Sequence, residues 1–386
     1  MTGKNTPMKT QQFIYFETPD KKFTVQKFSF QPDLILVFAS RNMLYESPLV
    51  EMLKAAYPKT IISGCSTSGE INGVNVNDNS LTTTAVKFND TKVSYCEVNI
   101  ENFENSEEAG ISLMNEIEKT DLKHVFVLSE GLNVNGTELV KGITKSLPSG
   151  VNVTGGLAGD AALFEETVVL SMSGKPISGL ISAIGFYGDK IQVGYGSLGG
   201  WDSFGIEKSV TKSKANVLYE IDHTPALQVY KDYLGDKAKD LPASGLLFPL
   251  SMRTEEGSEP VVRTILAVDE EEQSLTFAGD IPEGSFIKLM KANIDRLING
   301  AENAAEVSIK PLNDQHAQLA ILISCVGRKL VLKQMVEEEV EAVQEVVGEE
   351  AVLTGFYSYG EIAPFMQDAK CELHNQTMTI TTFYER

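Results

Sequence analysis

Three times along the chain, a short apolar run is followed by an amphipathic stretch and then by a second apolar run that ends in glycine. In the first, DLILVFAS (33–40) is rich enough in branched and aromatic residues for a buried strand. SPLVEMLKAAYP (47–58) then sets Leu49, Met52, Leu53 and Ala56 at helical spacing, with Ser47 expected as the N-cap before Pro48. TIIS (60–63) reads as a second strand. The same order recurs in QLAILISC (318–325), an acidic amphipathic helix over 333–347, and AVLT (351–354). A weaker copy between them has HVFVLSEG (124–131), a helix over 138–146 and VNVT (151–154). Each copy is predicted to be a βαβ unit.

Each second strand runs into a glycine-bracketed turn. The first is GCSTSGEI (64–71) and the last GFYSYGEI (355–362), both of the form G-x-x-[ST]-x-G-E-I, whereas the middle one, GGLAGD (155–160), is one residue shorter and ends in Asp160. Parallel strands need a crossover of fixed hand, so the turns are expected at one edge of each sheet, where α/β proteins commonly bind ligands. Between and after the units the pattern alternates, as in LTTTAVKF, KVSYCEV, ISGLISAIGFYG and HNQTMTITTFY, which reads as antiparallel meanders. Residues 217–301 carry a pattern of their own. The fold class is therefore α/β of the mixed α+β kind, with repeated βαβ-glycine-turn units and antiparallel meanders in two lobes. The expected division is an N-terminal extension 1–25, a first domain 26–212 and a second domain 213–386, with a boundary in the polar stretch 209–216.

Charge and composition narrow the function. A formal net charge of -20 opposes a phosphate backbone, so nucleic acid is not an expected partner. The acidic clusters 255–256, 269–272 and 337–339 read as solvated faces. Four scattered cysteines form no CxxC pair and no metal-ligand spacing, so no metal site is expected. The N-terminus lacks the apolar core of a signal peptide, and no apolar run approaches the roughly 20 residues that span a bilayer. The expectation is a cytoplasmic protein with reduced thiols and no membrane insertion.

GCSTSGEI and GGLAGDAALF, followed by VLYEIDHTPALQVY, FPL, RTILAVD, FAGDIPEGS, CVGR, GFYSYGEIAP and HNQTMTIT, together resemble the FIST-domain family over about residues 30–380. That resemblance implies a mostly bacterial sensory domain in signal transduction with an N-terminal and a C-terminal part, and the chain is expected to be non-enzymatic. It implies a small-molecule ligand, with amino acids as the suggested class. It also implies a separate signalling partner such as a histidine kinase, chemoreceptor or cyclic-dinucleotide enzyme. Some family members bind haem and sense nitric oxide, which makes haem the alternative cofactor; otherwise none is expected.

The residues themselves offer candidates. Glu70 and Glu361 could receive an amine while turn N–H groups hold a carboxylate, or they could accept bonds from their own turns. Arg328 and Arg263 adjoin apolar strands and could fork onto a carboxylate or sit in buried ion pairs. The principal site is expected in the C-terminal half, lined by Arg328, Tyr357, Tyr359, Glu361, His374 and Asn375, because aromatic rings with phenolic tips suit a small-molecule pocket. Secondary candidates are Cys65, Ser66, Thr67, Glu70, Asp160, Arg263 and Cys325. A Cys, His, Asn nucleophile set can be drawn from Cys325 or Cys65 with His374 and Asn375, yet no base lies near either thiol in sequence, so catalytic residues are not expected. His374 is the best haem-ligand candidate, against the alternative of a hydrogen-bonded structural histidine. Trp201 is read as packing.

Overall fold

The computed structural model of the protein describes residues 8–17, 22–241, 243–255, 260–313, 315–365 and 369–386. The first repeat contains β1 (Lys9–Phe16), β2 (Leu34–Ala39), α1 (Arg41–Glu46), α2 (Leu49–Ala56), β3 (Ile61–Ser66), β4 (Glu70–Asn72), β5 (Asn75–Asn77) and β6 (Ser80–Lys87). The second contains β7 (Lys92–Asn99), α3 (Ser106–Asn115), β8 (Leu122–Ser129), α4 (Gly136–Ser146), β9 (Asn152–Leu157), β10 (Val169–Leu170), β11 (Pro176–Ile177) and β12 (Leu180–Tyr187).

The third repeat opens with β13 (Ile191–Leu198) and is then interrupted. The interruption comprises β14 (Asp202–Lys214), β15 (Val217–Ile221), β16 (Thr224–Pro225), α5 (Ala226–Leu234) and β17 (Leu250–Arg253). It continues with β18 (Val261–Arg263), β19 (Ile265–Asp269), β20 (Ser274–Phe277) and β21 (Phe286–Lys291). The repeat resumes with α6 (Ile294–Ile309), β22 (Leu319–Cys325), α7 (Val326–Leu332), α8 (Val336–Val347) and β23 (Val352–Ser358). It closes with β24 (Gly360–Pro364), β25 (Cys371–His374) and β26 (Met378–Glu385).

Three sheets share one strand plan: β1-β6-β2-β3, β7-β12-β8-β9 and β13-β26-β22-β23, each with one parallel pair at its centre. The expected βαβ units are all present, and their registers agree. Val37 faces Gly64, Val127 faces Gly155, and Leu322 faces Gly355. A Cβ on any of these glycines would lie within 2 Å of the facing carbonyl oxygen, 1.9 Å at Gly64 and Gly155 and 1.8 Å at Gly355. The tight approach of the two parallel strands accounts for glycine at all three positions.

Each sheet is completed by a neighbour. After its turn, the first repeat's β4 adds to the third repeat's β23, the third's β24 adds to the second's β9, and the second's β10 adds to the first's β3. The exchange is cyclic, so no repeat can stand alone with a finished sheet. Leu36 and Phe38, Phe126 and Leu128, and Ile321 and Ile323 belong to one shared central core. There the Phe38 and Phe356 rings meet in a tilted contact, their centroids 4.8 Å apart. Burying each such ring contributes about 1.5–3 kcal/mol. Three further clusters pack the remaining faces of the sheets against α1 and α2, α3 and α4, and α6 and α8.

The interruption forms a lobe of its own, a curled antiparallel sheet ordered β18-β17-β21-β14-β15-β20-β19 that packs on α5 through its own core. Expectation and structure differ in four places. The polar stretch 209–216 is mostly the second half of the long strand β14, whose alternation of outward polar residues mimics a linker. Lys9–Phe16, within the expected extension, is an edge strand paired along its length with β6. Ser47 does not cap α2: it ends α1, its hydroxyl donating to the Met43 carbonyl at 2.5 Å. Glu339, read as part of a solvated cluster, is fully buried.

Candidate ligand-binding site

The three glycine turns meet at the carboxyl ends of the parallel strands, and they are tied in a ring. Ser68 N–H donates to the Tyr357 carbonyl at 2.8 Å, Gly159 N–H to that of Ser66 at 3.0 Å, and Tyr359 N–H to that of Leu157 at 3.2 Å. Ser66, Leu157 and Tyr357 are equivalent, since they pair with Ala39, Ser129 and Ser324. The donors lie two residues further on in each repeat. At the middle of this ring a Cβ on Gly159 would come within 2.3 Å of Ser68 Oγ, so a larger residue there would push the turns apart.

The turn acids are buried. Glu70 accepts from Thr67 Oγ1, from Ser80 N–H at 3.1 Å and from Ser80 Oγ at 2.6 Å. Glu361 repeats that arrangement, accepting from Ser358 Oγ at 2.6 Å and from Thr377 N–H and Oγ1 at 3.2 and 2.9 Å. Burial outweighs these donors and pushes the two carboxyls up to about 7 and about 8 respectively. Asp160 differs: it accepts the N–H groups of Phe164, Glu165 and Glu166 at 2.9–3.0 Å, Arg41 Nη1 at 3.1 Å and the Tyr359 hydroxyl. It thereby shapes the loop over 161–166. Phe164 is held in a positive-φ conformation (φ 55°) and stacked on Tyr359 at 4.5 Å.

This loop forms one edge of a cavity of about 230 Å³. The second wall is the loop Gly131–Gly136 that leads into α4; the third is the inserted lobe at Asn216, Leu266 and 277–280. Glu130, fully buried at the end of β8, fixes the second wall by accepting from Leu132 N–H at 2.9 Å, Asn133 N–H at 2.6 Å and Thr167 Oγ1. Asn135 caps α4, receiving Thr137 and Glu138 N–H, and gives its own amide to Asp280 Oδ1 at 3.1 Å, which links body to lobe. Asp280 is the one carboxylate among the lining residues.

The residues expected to share one pocket are divided among several environments. Tyr359 lines the cavity, and Asp160 supports it. Arg328 and Tyr357 are elsewhere, sealed with Glu339. The guanidinium reaches Glu339 Oε2 at 3.0 Å through Nε and 2.7 Å through Nη2, and Leu297 O at 2.8 Å, while Tyr357 Oη donates to Glu339 Oε1 at 2.6 Å. Arg263 donates to the carbonyls of Asp280, Val262 and Leu373. His374 is the last residue of β25, its Nε2–H directed at Ala363 O at 2.7 Å, and Asn375 follows it, fully buried. Ser66 Oγ receives Val168 N–H at 3.0 Å. Cys65 and Cys325 are buried, and burial raises both thiols above their ordinary range. Trp201 packs, its Nε1–H bonded to Gln376 O at 2.8 Å.

Sequence reasoning missed Glu130, Asn135, Phe164 and Asp280. GLNVNG (131–136) was visible as a glycine- and asparagine-rich stretch between a strand and a helix, a signal that could have drawn attention to this wall. Asp280 lies in FAGDIPEGS (277–285), a turn signal of the same kind, but its approach to the GLNVNG wall depends on the packing of the lobe and is not written in the sequence. Among the described residues, no cluster of histidine, cysteine and carboxylate side chains could hold a metal ion.

The family model for the FIST N domain matches residues 33–224, and that for the FIST C domain matches 226–364. The chain belongs to the FIST family. The family is one of domains assigned to sensory signal transduction. The junction between the two matches falls inside the inserted lobe, between β15 and α5. An uncharacterised protein of Methanocaldococcus jannaschii is 28% identical, covering 42% of this chain and 36% of that protein, so the chain spans about a third of the length of this curated relative. Among solved structures, a cyanuric acid hydrolase from A. caulinodans aligns over 77% of this chain and 99% of its own at 8% identity, with a TM-score of 0.19. A likeness of that size carries no argument. No helix among the described residues is long and apolar enough to cross a membrane.

Proposed function

We propose that this FIST protein is a sensor that binds a small polar molecule, such as an amino acid, in the cleft between its second repeat and the inserted lobe, and passes the signal to a separate partner. The observation that carries the reading is the cleft itself. About 230 Å³ of space lies at the carboxyl ends of β8 and β9, with the rigid body on one side and the lobe on the other. That volume is below the roughly 300–1,000 Å³ of drug-sized sites and suits a small metabolite. Asp280 can take an amine, and the capped start of α4 beside Gly136 favours a carboxylate.

A ligand touching both walls stabilises the arrangement of lobe and body in which both are in reach, and this differential affinity is what a sensor requires. Leu132, Leu163 and Phe164, exposed at the rim, offer a partner of the histidine kinase, chemoreceptor or cyclic-dinucleotide enzyme type a surface beside the cleft. Haem does not fit these residues: no histidine lines the cleft, and His374 gives its Nε2–H to Ala363 O.

A thermal-shift panel of amino acids tests the reading, since a ligand at 100 times its Kd adds about 2.7 kcal/mol of apparent stability. An amine-bearing hit should bind Asp280→Asn about 10- to 100-fold more weakly in calorimetry, the loss expected for an unpaired charged partner. Unchanged binding by Asp280→Asn places the ligand elsewhere and overturns the assignment.

A further inference from the structure

The internal repeat supplies its own control for a second site. Asn79 and Gly179 directly precede the last strands of the first and second repeats, and Gln376 stands two positions before β26 in the third; all three share a left-handed conformation, with φ of 55°, 71° and 64°. In the first repeat this turn is open, with Asp78 and Asn79 exposed. In the third, the 3₁₀ turn Ala243–Leu247 of the inserted lobe covers it, Gln376 Nε2 donating to Leu246 O at 3.3 Å, and His374, Asn375 and Gln376 are fully buried.

A polar turn that is covered must find partners, because a buried donor or acceptor left unpaired costs about 1–3 kcal/mol. Here four atoms on three successive residues have no partner among the described residues: His374 Nδ1, Asn375 Nδ2 and Oδ1, and Gln376 Oε1. The polar triplet therefore calls for a complement.

The complement has a definite character. His374 donates through Nε2 to Ala363 O, so Nδ1 is the lone-pair nitrogen of a neutral ring. Three of the four unpartnered atoms are thus acceptors and one is an amide donor. The neighbouring polar groups are already engaged: Arg328 by Glu339 and backbone carbonyls, Arg263 by the carbonyls of Asp280, Val262 and Leu373, and the Glu361 carboxyl, raised by burial to about 8, by Ser358 and Thr377. A charged guest would bring uncompensated charge into this interior. A primary amide or urea group matches the set. Its carbonyl can accept from Asn375 Nδ2, and its N–H groups can donate to Asn375 Oδ1 or another of the three acceptors.

We infer that the buried turn 374–376 is a second binding site, enclosed between the third repeat and the inserted lobe, for a small neutral amide or urea-type ligand. None of its three residues lines the cleft at Asp280, so the two sites are separable.

Ligand-observed saturation-transfer NMR with acetamide and N-methylurea, against acetate as the charged, shape-matched control, tests the inference on the full chain. The expected result is transfer to both amides and not to acetate, reduced at least tenfold in Asn375→Leu. A crystal of the wild-type protein soaked in acetamide gives the answer should Asn375→Leu not fold. Density for the amide against Asn375 supports the site; ordered water alone bridging the four atoms overturns it. Equal transfer to acetate, or transfer retained in Asn375→Leu, does so as well.

Discussion

Tyr359 gives its hydroxyl hydrogen to Asp160, the acid of another repeat's turn, and lays its ring against Phe164 in the loop that the same acid organises. Two repeats and one edge of the cleft are thus joined through a single carboxylate. Asp160→Asn should cost about 1–3 kcal/mol, because one oxygen can no longer serve three backbone N–H groups and a phenol. Tyr359→Phe should cost a similar amount. In urea unfolding the double variant should lose less than the sum of the singles by about 0.5–3 kcal/mol, the coupling expected of residues in contact. Strict additivity would mean that the phenol and the acid do not act together.

The fully buried pair Arg328 and Glu339 predicts loss of stability on substitution at either residue. Arg328→Met leaves the Glu339 carboxylate buried beside Tyr357 and Ser324 without its cation, at a cost of about 3–5 kcal/mol. Pairing that change with Glu339→Leu should recover much of the loss, since removing both charges removes the unpaired one. The check is the denaturant midpoint of the three variants. An Arg328→Met protein as stable as wild type would return this residue to the list of ligand contacts.

Glu361 should make stability fall as the pH rises. Its folded-state value of about 8 lies above the ordinary glutamate value of 4.5, so between the two the folded protein holds a proton that the unfolded chain releases. The contribution is complete below about 4.5 and is lost as pH climbs through about 8. Glu361→Gln, which is neutral at every pH, should flatten that part of the curve. His374, lowered by burial to about 4, acts in the opposite sense at lower pH, so the difference between wild type and variant is the quantity to follow. Parallel profiles from pH 5 to 8.5 would show that Glu361 is ionised throughout.

Local pattern carried much of the architecture. The three βαβ units, their order and their terminal glycines were legible because a strand, a helix and a close backbone approach each leave a signature within a few residues: period, cap and absence of a side chain. The acids Glu70, Asp160 and Glu361 were legible for the same reason, as members of a repeated turn.

The partners were not. Tyr357 lies in β23 and Tyr359 in the bend between β23 and β24, where the two-residue alternation of a strand is broken, so one reaches Glu339 and the other Asp160 in another repeat. Sequence adjacency made them look like one pocket. Arg328 could have met a ligand or an internal acid, and only the packing of α7 on α8 brought Glu339 to it. The lobe inserted after β13 decides which crevice becomes the cleft and which polar turn is covered, through contacts such as Asn135 with Asp280 that span 145 positions of sequence. The sequence by itself determined the repeated units and their turns, because those depend on neighbours along the chain. The cyclic exchange of strands, the buried ion pair and the walls of the cleft were decided by the tertiary structure, because each depends on which distant surfaces must lose water together.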